Sequence, residues 1–459
     1  MKGDSQSMSK ISRILVANRG EIAVRIIEAC KDLGIETVAA VSEADRGSLP
    51  AKIADRAVCI GPPRALDSYL KIKTLVAAAL GTGSEAIHPG YGFLAEQPEM
   101  AEFCRNNNVI FIGPSPKILR EMGNKLLARE IVLHCGIPTI PGSQKVRDCR
   151  EAAMLSEKLG FPILLKAAAG GGGRGMIIIR NPAELESVFE TVSAEVQLAF
   201  GDGTLFVEHY IPNARHVEVQ ILADHHGHVI HLGERDCSIQ RRYQKVIEET
   251  PSPAVSPQLR DKISNVAVAI AKKIKYDSVG TVEFLLDQDS GQFYFLEMNT
   301  RIQVEHPITE AVSGVDLVKE QIRIAAEQEL SISQHDVMLN GHAIECRINA
   351  EAPELGFRPC PGLIQKWDPP AGGNIRVDSH CFSGYEVPPY YDSLLAKLIV
   401  SGFNRLEAIE CMRHALENFT VIGVDTTIPF LSSLMKHPDF IGGKTNTRWL
   451  EEVIGHTGG

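Results

Sequence analysis

Two short and mostly apolar segments, 281–287 and 293–299, are separated by a loop of turn-forming residues. Such a loop between two strands favours a β-hairpin. Because side chains alternate along a strand, Glu297 and Asn299 share one face, and Glu283 meets them from the other strand. Two carboxylates and an amide oxygen suit a Mg²⁺ ion that carries nucleotide phosphates. Taken alone, the hairpin fits an ordinary solvated strand face equally well.

A run of glycines, residues 170–173, lies between two predicted strands. Backbone N–H groups of glycine can approach phosphate oxygens with no Cβ in the way. Lys166, at the end of the preceding strand, can reach the same phosphates as a point charge. The spacing matches neither the Walker A motif nor the dinucleotide-binding motif, and a flexible hinge is the alternative. Residues 208–211 offer backbone groups to an adenine edge, which is a weaker signal.

Charged residues continue directly after the hairpin. A pocket that holds Lys245, Arg301, Gln303 and a backbone N–H would suit a small planar anion, and Glu305 could act as its base. For residues 240–245 considered alone, a solvated basic face is the better explanation. The pocket therefore depends on the hairpin and the glycine run being part of the same site.

Strand and helix signals alternate up to about residue 122, which predicts β-α-β units around a parallel sheet. From residue 216 to residue 299 the hydrophobic period is two, which predicts antiparallel strands. The fold class is therefore α/β combined with α+β. The predicted divisions are a flexible tail over 1–10, an N-terminal domain over 11–122, a central domain over 123–340 that includes a compact unit at about 143–212, a C-terminal mixed domain over 341–452 and a tail over 453–459.

Composition excludes several classes of function. The formal net charge is −10 and no basic block is present, which argues against non-specific nucleic-acid binding. No apolar run approaches the roughly 18–20 residues of a membrane span. The ten cysteines are scattered without a C-x-x-C pair, which favours free thiols and a cytoplasmic location.

In this order and spacing, the sequence elements resemble an ATP-grasp enzyme and, within that superfamily, biotin carboxylase. The resemblance covers residues 11–450 and implies an ATP-grasp fold with a Rossmann-like N-terminal domain, a mobile lid formed by the compact unit and a mixed C-terminal domain. It rests on the motifs at residues 17–23, 88–94, 170–176, 234–238, 297–306, 341–347 and 389–393.

The resemblance implies roles for individual residues. Glu305, Arg301, Arg347 and Lys245 would be catalytic, with Glu305 as general base and Arg347 stabilising the biotin enolate. Bicarbonate and biotin would be held by Lys245, Arg301, Gln303, Val304 and Arg347. Mg²⁺ or Mn²⁺ would be bound by Glu283, Glu297 and Asn299. ATP would be bound by Lys125, Lys166, Gly172, Gly173, Met176, Glu208, His209, Ile211, His216, Gln240 and Leu285.

The implied activity is ATP- and bicarbonate-dependent carboxylation of biotin through carboxyphosphate, which yields ADP and phosphate. It is the first half-reaction of a multisubunit biotin-dependent carboxylase. The chain has no Ala-Met-Lys-Met-type segment, so biotin is expected on a separate carrier protein, with a separate carboxyltransferase subunit. The resemblance also implies a homodimer with Arg25 at its interface. It leaves the final acceptor open among acetyl-CoA, propionyl-CoA, another acyl-CoA and pyruvate.

One position departs from the family pattern. Tyr243 stands where the family more usually has His, so a phenol replaces an imidazole donor near the nucleotide. Altered nucleotide contacts are expected rather than lost activity. Two alternative functions remain open: another ATP-grasp ligase that captures an acyl phosphate with an amine, and a non-catalytic nucleotide-binding scaffold.

Overall fold

The computed structural model describes residues 11–168 and 175–457. Gly172 and Gly173, predicted to bind ATP, lie outside the described residues, as does the predicted tail over 1–10.

The N-terminal region is built on a five-stranded parallel sheet with the order β3-β2-β1-β4-β5. This confirms the predicted β-α-β arrangement. The apolar residues at positions 22, 23, 26, 27 and 30 have the spacing that predicts the first helix, and they are buried against the sheet. Gly34 at φ +70° turns the chain after the helix ends. The strands are β1 Arg13–Val16, β2 Glu36–Ser42, β3 Arg56–Gly61, β4 Ala86–His88 and β5 Ile110–Phe111. The helices are α1 Gly20–Asp32, α2 Leu49–Ile53, α3 Ile72–Thr82, α4 Pro98–Asn106 and α5 Pro116–Gly123.

The compact unit is a three-stranded antiparallel sheet, ordered β7-β6-β8, with two helices packed on it. Its buried apolar side chains form a core of their own, among them Leu165, Leu185 and Val207. That separate core fits the predicted lid, whose movement stays a prediction. The elements are α6 Lys125–His134, which precedes the unit, α7 Cys149–Leu159, β6 Ile163–Ala167, β7 Met176–Ile179, α8 Pro182–Phe200 and β8 Leu205–His209.

The largest layer is an eight-stranded antiparallel sheet with the order β13-β12-β9-β10-β11-β14-β21-β19. It runs without a break from the predicted central domain into the predicted C-terminal domain, because β11 pairs with β14 across the proposed boundary at 340. The elements of the first part are β9 Ala214–Ala223, β10 Val229–Arg241, β11 Gln244–Thr250, α9 Pro257–Ile274, β12 Val279–Asp287, β13 Phe293–Asn299, α10 His306–Ser313, α11 Leu317–Ala325 and β14 His342–Asn349.

Helix α9 corrects the prediction that strands fill residues 216–299. It is 18 residues long, and Ser256 caps it by accepting a hydrogen bond from the backbone N–H of Leu259. Its buried positions include Ile263, Ala267 and Ile270, which follow the helical spacing of three and four. That period, together with the Ser-Pro start, was present in the sequence and outweighs the alternation of the flanking strands.

After β14, the C-terminal part adds two more strands to the large sheet, three two-stranded ribbons and a helical layer. Helix α15 continues through residues that were predicted to be a tail, because Trp449 and Leu450 are buried in the core beneath it. No helix within the described ranges is long and apolar enough to cross a membrane. The strands are β15 Glu351–Ala352, β16 Arg358–Pro359, β17 Gly362–Leu363, β18 Lys366–Asp368, β19 Ile375–Ser379, β20 Glu386–Val387, β21 Leu394–Gly402 and β22 Thr420–Ile422. The helices are α12 Arg405–Glu417, α13 Ile428–Leu434, α14 Pro438–Ile441 and α15 Trp449–Thr457, and short 3₁₀ turns occupy Glu43–Asp45, Ala65–Asp67, Gln334–Asp336 and Pro353–Leu355.

Candidate active site

The predicted hairpin is present as β12 and β13, with Glu283 directly opposite Glu297 and a register shift immediately afterwards. The Asn299 side-chain N–H group donates a hydrogen bond of 2.8 Å to Glu283 Oε1. Glu297 Oε2 lies 3.3 Å from Lys125 Nζ. The three oxygen-bearing side chains therefore meet at one end of the hairpin, beside a lysine that was predicted to hold phosphate.

Lys245 lies at the centre of a cluster of carboxylates. Its ammonium group is 2.6 Å from Glu218 Oε2, 2.6 Å from Glu305 Oε1 and 3.2 Å from Glu283 Oε1. Burial lowers the pKa of Lys245, but Cys237 and the three carboxylates outweigh it, so the pKa is raised well above its ordinary value. The lysine is therefore charged at neutral pH and joins the hairpin to the segment that contains Glu305.

Glu305 is fully buried at the start of α10 and lies between two cations. Its Oε1 contacts Lys245, and its Oε2 accepts a hydrogen bond of 2.9 Å from Arg347. Burial raises the pKa of the Glu305 carboxyl, but Lys245 and Arg347 outweigh burial and the neighbouring Glu218, and the pKa is lowered. Glu305 is thus an ionised carboxylate that can accept a proton from an acid brought against it.

The other predicted anion-binding side chains converge on the same place. Arg301 donates hydrogen bonds of 3.1 Å to Gln303 Oε1 and 3.2 Å to Asn299 Oδ1. Gln303 in turn donates to Glu283 Oε1 at 3.2 Å. The anion pocket and the oxygen cluster therefore share hydrogen bonds and form one continuous site. The remaining predicted residue, Val304, presents a backbone carbonyl that accepts a hydrogen bond of 3.0 Å from Lys397.

Arg347 lies on β14 and is held from two sides. Its Nε donates to Glu248 Oε1 at 2.6 Å, while its terminal nitrogen donates to Glu305. Such a two-sided arrangement fixes the plane of the guanidinium group. The guanidinium group of Arg347 is thereby held between the buried carboxylates of Glu248 and Glu305.

On the nucleotide side, Lys166 is buried and its Nζ lies 2.8 Å from Glu208 Oε2. Arg129 donates to the other oxygen of Glu208 at 2.8 Å. Met176 stands opposite Lys166 on the neighbouring strand. The backbone N–H group of His209 donates a hydrogen bond to the carbonyl of Pro141, so this N–H group already has an acceptor within the protein. Ile211, also predicted to line the adenine site, is buried.

His216 connects the nucleotide residues with the oxygen cluster. It stands opposite Leu285 across β9 and β12, and Gln240 lies 3.1 Å from its Nδ1. Its Nε2 is 3.2 Å from Glu283 Oε2. Burial lowers the pKa of His216, but Glu283 outweighs it and raises the pKa to about 9. The imidazole is therefore protonated at neutral pH and brings a further positive charge to the site.

Tyr243 occupies the two-residue turn between β10 and β11. Arg242 has a φ value of +48° and Tyr243 a φ value of +64°, a backbone region that residues other than glycine adopt infrequently. The phenol is half exposed, and its pKa is raised by partial burial and by Tyr210 and Glu451. Its effect on nucleotide binding stays a prediction.

Several residues of the site were not foreseen. Glu218 and Glu248 hold Lys245 and Arg347, and Glu96 accepts a hydrogen bond of 2.9 Å from Arg301. Glu218 follows His216 at a spacing of two along one strand, a signal that could have identified it. Glu96 comes from the N-terminal region, and nothing in the local sequence pattern connects it with Arg301.

Glu345 provides a prediction about pH. It stands opposite Glu248 across β11 and β14, is fully buried, and has a hydrogen-bond partner on neither carboxylate oxygen among the described residues. Burial raises its pKa well above the ordinary value, and Glu248 and Glu305 add to the rise. The folded protein therefore keeps this proton after the unfolded chain has lost it, so the contribution of Glu345 to stability falls as pH rises above the ordinary carboxyl pKa of about 4.3.

We expect Glu345→Gln to unfold at a higher temperature than the original protein, with a difference that grows from pH 5 to pH 8. Thermal unfolding at several pH values measures this difference. Glu354→Gln, at an exposed glutamate, serves as the control and should show no such trend. A constant difference across the pH range would contradict the prediction.

Three models of known protein families match successive parts of this chain. The N-terminal domain profile of biotin carboxylase matches residues 10–119, the ATP-binding domain profile of the carbamoyl-phosphate synthase L chain matches residues 124–333, and the C-terminal domain profile of biotin carboxylase matches residues 345–452. Biotin carboxylase 1 of Bacillus subtilis is 51% identical over 448 residues, which are 97% of this chain and 100% of that protein. This chain belongs to the biotin carboxylase family.

Solved structures agree with this assignment. The biotin carboxylase domain dimer of the 2-oxoglutarate carboxylase from Hydrogenobacter thermophilus, in complex with MgADP, ADP and bicarbonate, is similar with a TM-score of 0.93, at 50% identity over 96% of this chain and 97% of that chain. A complex of the biotin carboxylase from Campylobacter jejuni with a β,γ-ATP compound has a TM-score of 0.95, at 45% identity over 98% and 100% of the two chains. The ATP-grasp fold predicted from the sequence is thereby confirmed.

Biotin carboxylases use ATP with Mg²⁺, and the donor set of this chain fits such a metal. Glu283, Glu297 and Asn299 offer carboxylate and amide oxygens, the ligands that Mg²⁺ and Mn²⁺ accept. His216, Glu218 and Glu283 also bring one ligand atom each within 4.8 Å of one another. Glu283 is common to both groups.

Proposed function

We propose that this protein carboxylates biotin held on a separate carrier protein, using ATP and bicarbonate and releasing ADP and phosphate through carboxyphosphate. The observation that carries the proposal is the position of Glu305 between Lys245 and Arg347, at the end of the segment that begins with the oxygen-bearing hairpin. Family membership and the similarity to a bicarbonate-bound relative support it.

In the first step, Glu305 takes the proton of bicarbonate, whose oxygen then attacks the γ-phosphorus of ATP in line as ADP departs. Lys245 and Arg301 hold the attacking anion. Lys125 and Lys166 bind the phosphates and offset the charge that develops on them. A bound magnesium ion would supply further neutralisation, held by Glu283, Glu297 and Asn299.

In the second step, carboxyphosphate breaks into CO₂ and phosphate. The released phosphate or a nearby base removes the proton from N1 of biotin, and N1 attacks the carbon of CO₂ to give carboxybiotin. Arg347 offsets the negative charge on the ureido oxygen. Carboxyphosphate reacts readily with water, so closure of the compact unit over the site is needed to exclude it.

The metal assignment leads to a prediction. Glu297→Gln is expected to raise the magnesium concentration needed for half-maximal ATP cleavage by about tenfold or more, because a neutral amide is a weaker ligand than a carboxylate. Titration of the initial rate with Mg²⁺ measures this change. Asp289→Asn is the control, because Asp289 lies in the exposed loop of the same hairpin. Identical magnesium dependence in both variants would remove Glu297 from the ligand set.

The carrier and the carboxyltransferase are proposed partners, and proteins that co-purify with this chain would identify both and thereby the final acceptor. Relatives include the small subunit of a 2-oxoglutarate carboxylase from Hydrogenobacter thermophilus and a pyruvate carboxylase subunit from Methanothermobacter thermautotrophicus.

A homodimer is proposed from the dimeric structure of the Hydrogenobacter relative. The proposed interface residue Arg25 is buried and pairs with Glu310 at 3.1 Å and Asp316 at 2.6 Å in its own chain.

A cytoplasmic location is proposed because all ten cysteines are free thiols.

One experiment separates the proposed function from its competitors. Release of ADP should require bicarbonate and should increase when free biotin is added. Bicarbonate-dependent release that biotin does not stimulate would favour a ligase that captures an acyl phosphate with an amine. Tight ATP binding without turnover, in the presence of bicarbonate, magnesium and biotin, would favour a non-catalytic scaffold.

A further inference from the structure

Lys397 is a lysine with no solvent-exposed side-chain surface, on strand β21. Lysine is almost never buried in this way without partners. Its ammonium group donates a hydrogen bond of 3.0 Å to the carbonyl of Val304 and lies 3.1 Å from Glu21 Oε2 and 3.6 Å from Asp378 Oδ2. These partners come from three separate parts of the chain: the segment before α10, helix α1 and strand β19.

The strand pairing aims Lys397 at the catalytic segment. Lys397 and Arg347 are directly opposite one another across β14 and β21, so their side chains emerge on the same face of the sheet. Arg347 reaches the carboxylate of Glu305, and Lys397 reaches the carbonyl of the preceding peptide unit. Two neighbouring cations thus hold both the side chain of the general base and the backbone that carries it.

Through its contact with Glu21, Lys397 is connected to the wall of a cavity. Glu21 is buried, and while its Oε2 faces Lys397, its Oε1 accepts a hydrogen bond from the Tyr91 hydroxyl. Tyr91 lines a cavity of about 130 Å³ together with Arg19, Gly92, Phe93 and Asp392. Glu21 itself lines this cavity, so Lys397 connects the cavity wall to the carbonyl of Val304.

We propose that Lys397 is a positioning residue that holds the Val304–Glu305 peptide unit in place. Through Glu21 and Tyr91 it also fixes the position of the general base, Glu305, relative to the cavity wall. This role rests on the proposed function, since it assigns Glu305 to the abstraction of a proton from bicarbonate. Lys397 touches no substrate in this scheme. Its effect reaches the reaction through the backbone of Glu305.

The test compares Lys397→Met with the double variant Lys397→Met/Glu21→Gln. The double variant is needed because the single change leaves a buried carboxylate without its cation, which destabilises a fold strongly. The glutamine introduced by Glu21→Gln keeps an oxygen for the Tyr91 hydroxyl. Both variants are expected to lower kcat for bicarbonate-dependent ADP release by about 10²-fold, as a misplacement of the reacting groups by about 1 Å does. Affinity for ADP, measured by calorimetry, should be unchanged.

Arg260→Met is the matched control. Arg260 lies on α9 and pairs with the buried Glu234 at 2.7 Å, so its removal also leaves a buried carboxylate without a cation. This control should lose thermal stability and keep its bicarbonate kinetics. Lys397→Arg, which retains a charged donor, should recover part of the lost rate.

Wild-type kcat and bicarbonate KM in the double variant would overturn the proposal and leave Lys397 with a structural role. A parallel loss of ADP affinity would overturn it as well, since it would indicate a general loss of the fold. If neither methionine variant is soluble, Lys397→Gln decides, because its shorter and neutral side chain loses the charge that faces Glu21 and cannot reach the Val304 carbonyl in the same way. Unaltered bicarbonate kinetics in Lys397→Gln would overturn the proposal, and a lower kcat with intact ADP affinity would support it. Failure of the proposed function itself would appear separately, as unaltered protein without bicarbonate-dependent turnover.

Discussion

Replacing Glu305 with glutamine is expected to lower the bicarbonate-dependent rate of ATP cleavage by about 10²–10⁴-fold, the usual contribution of a general base. Glutamine has nearly the same shape as glutamate but cannot take the proton of bicarbonate. The pKa of the Glu305 carboxyl is lowered because Lys245 and Arg347 outweigh its burial, so the original residue is ionised and ready to accept that proton. Initial rates of ADP release with and without bicarbonate measure the effect.

Glu248→Gln is the matched control for this change. Glu248 is also fully buried and also binds Arg347, with its Oε1 2.6 Å from Nε and 2.5 Å from the terminal nitrogen that contacts Glu305. Its replacement should disturb the guanidinium group while leaving the base in place, and the rate should fall much less. Affinity for ADP should be the same in both variants. Equal losses of rate in the two variants would show that Glu305 acts only by holding Arg347.

Replacing Arg347 with methionine should separate the two steps of the reaction. Carboxylation of biotin is expected to fall by about 10²–10³-fold, the effect of removing one donor to a developing oxyanion. Bicarbonate-dependent ATP cleavage without biotin should persist, because Lys245 and Arg301 still hold the anion. Measuring carboxybiotin and ADP in the same reaction gives the ratio that tests this expectation.

Two further variants sharpen this test. Arg347→Lys keeps the charge and loses the planar fork, so it should recover little of the carboxylation rate. Arg405→Met removes another arginine paired with a glutamate of β11, since Arg405 binds Glu249 at 2.6 Å. Glu249 is the neighbour of Glu248 and points to the opposite face of the strand. This variant should lose stability and keep the ratio of carboxybiotin to ADP. An equal loss of ADP and carboxybiotin in Arg347→Met would assign Arg347 to the first step.

The features predicted correctly from sequence depend on short stretches of chain. The hairpin that pairs Glu283 with Glu297 follows from alternation and a turn-forming loop. The first helix follows from its apolar spacing, and the two strands on either side of the glycine run follow from their apolar residues. Strand alternation, helical period and turn chemistry act over a few residues, so they can be read without knowing what packs against them. The missed helix α9 carried signals of the same kind, which the alternation on either side obscured.

The partners of the charged groups depend instead on contacts between distant segments. Lys245 meets Glu218 and Glu305, and Lys397 meets Glu21 and the carbonyl of Val304, because strands and helices far apart in the chain are brought to one face of the eight-stranded sheet. The order of strands in that sheet is set by burial of apolar surface over the whole molecule. The amino-acid sequence therefore identified which residues could bind phosphate, metal and a small anion, whereas the packing of the sheet alone established which cation faces which carboxylate.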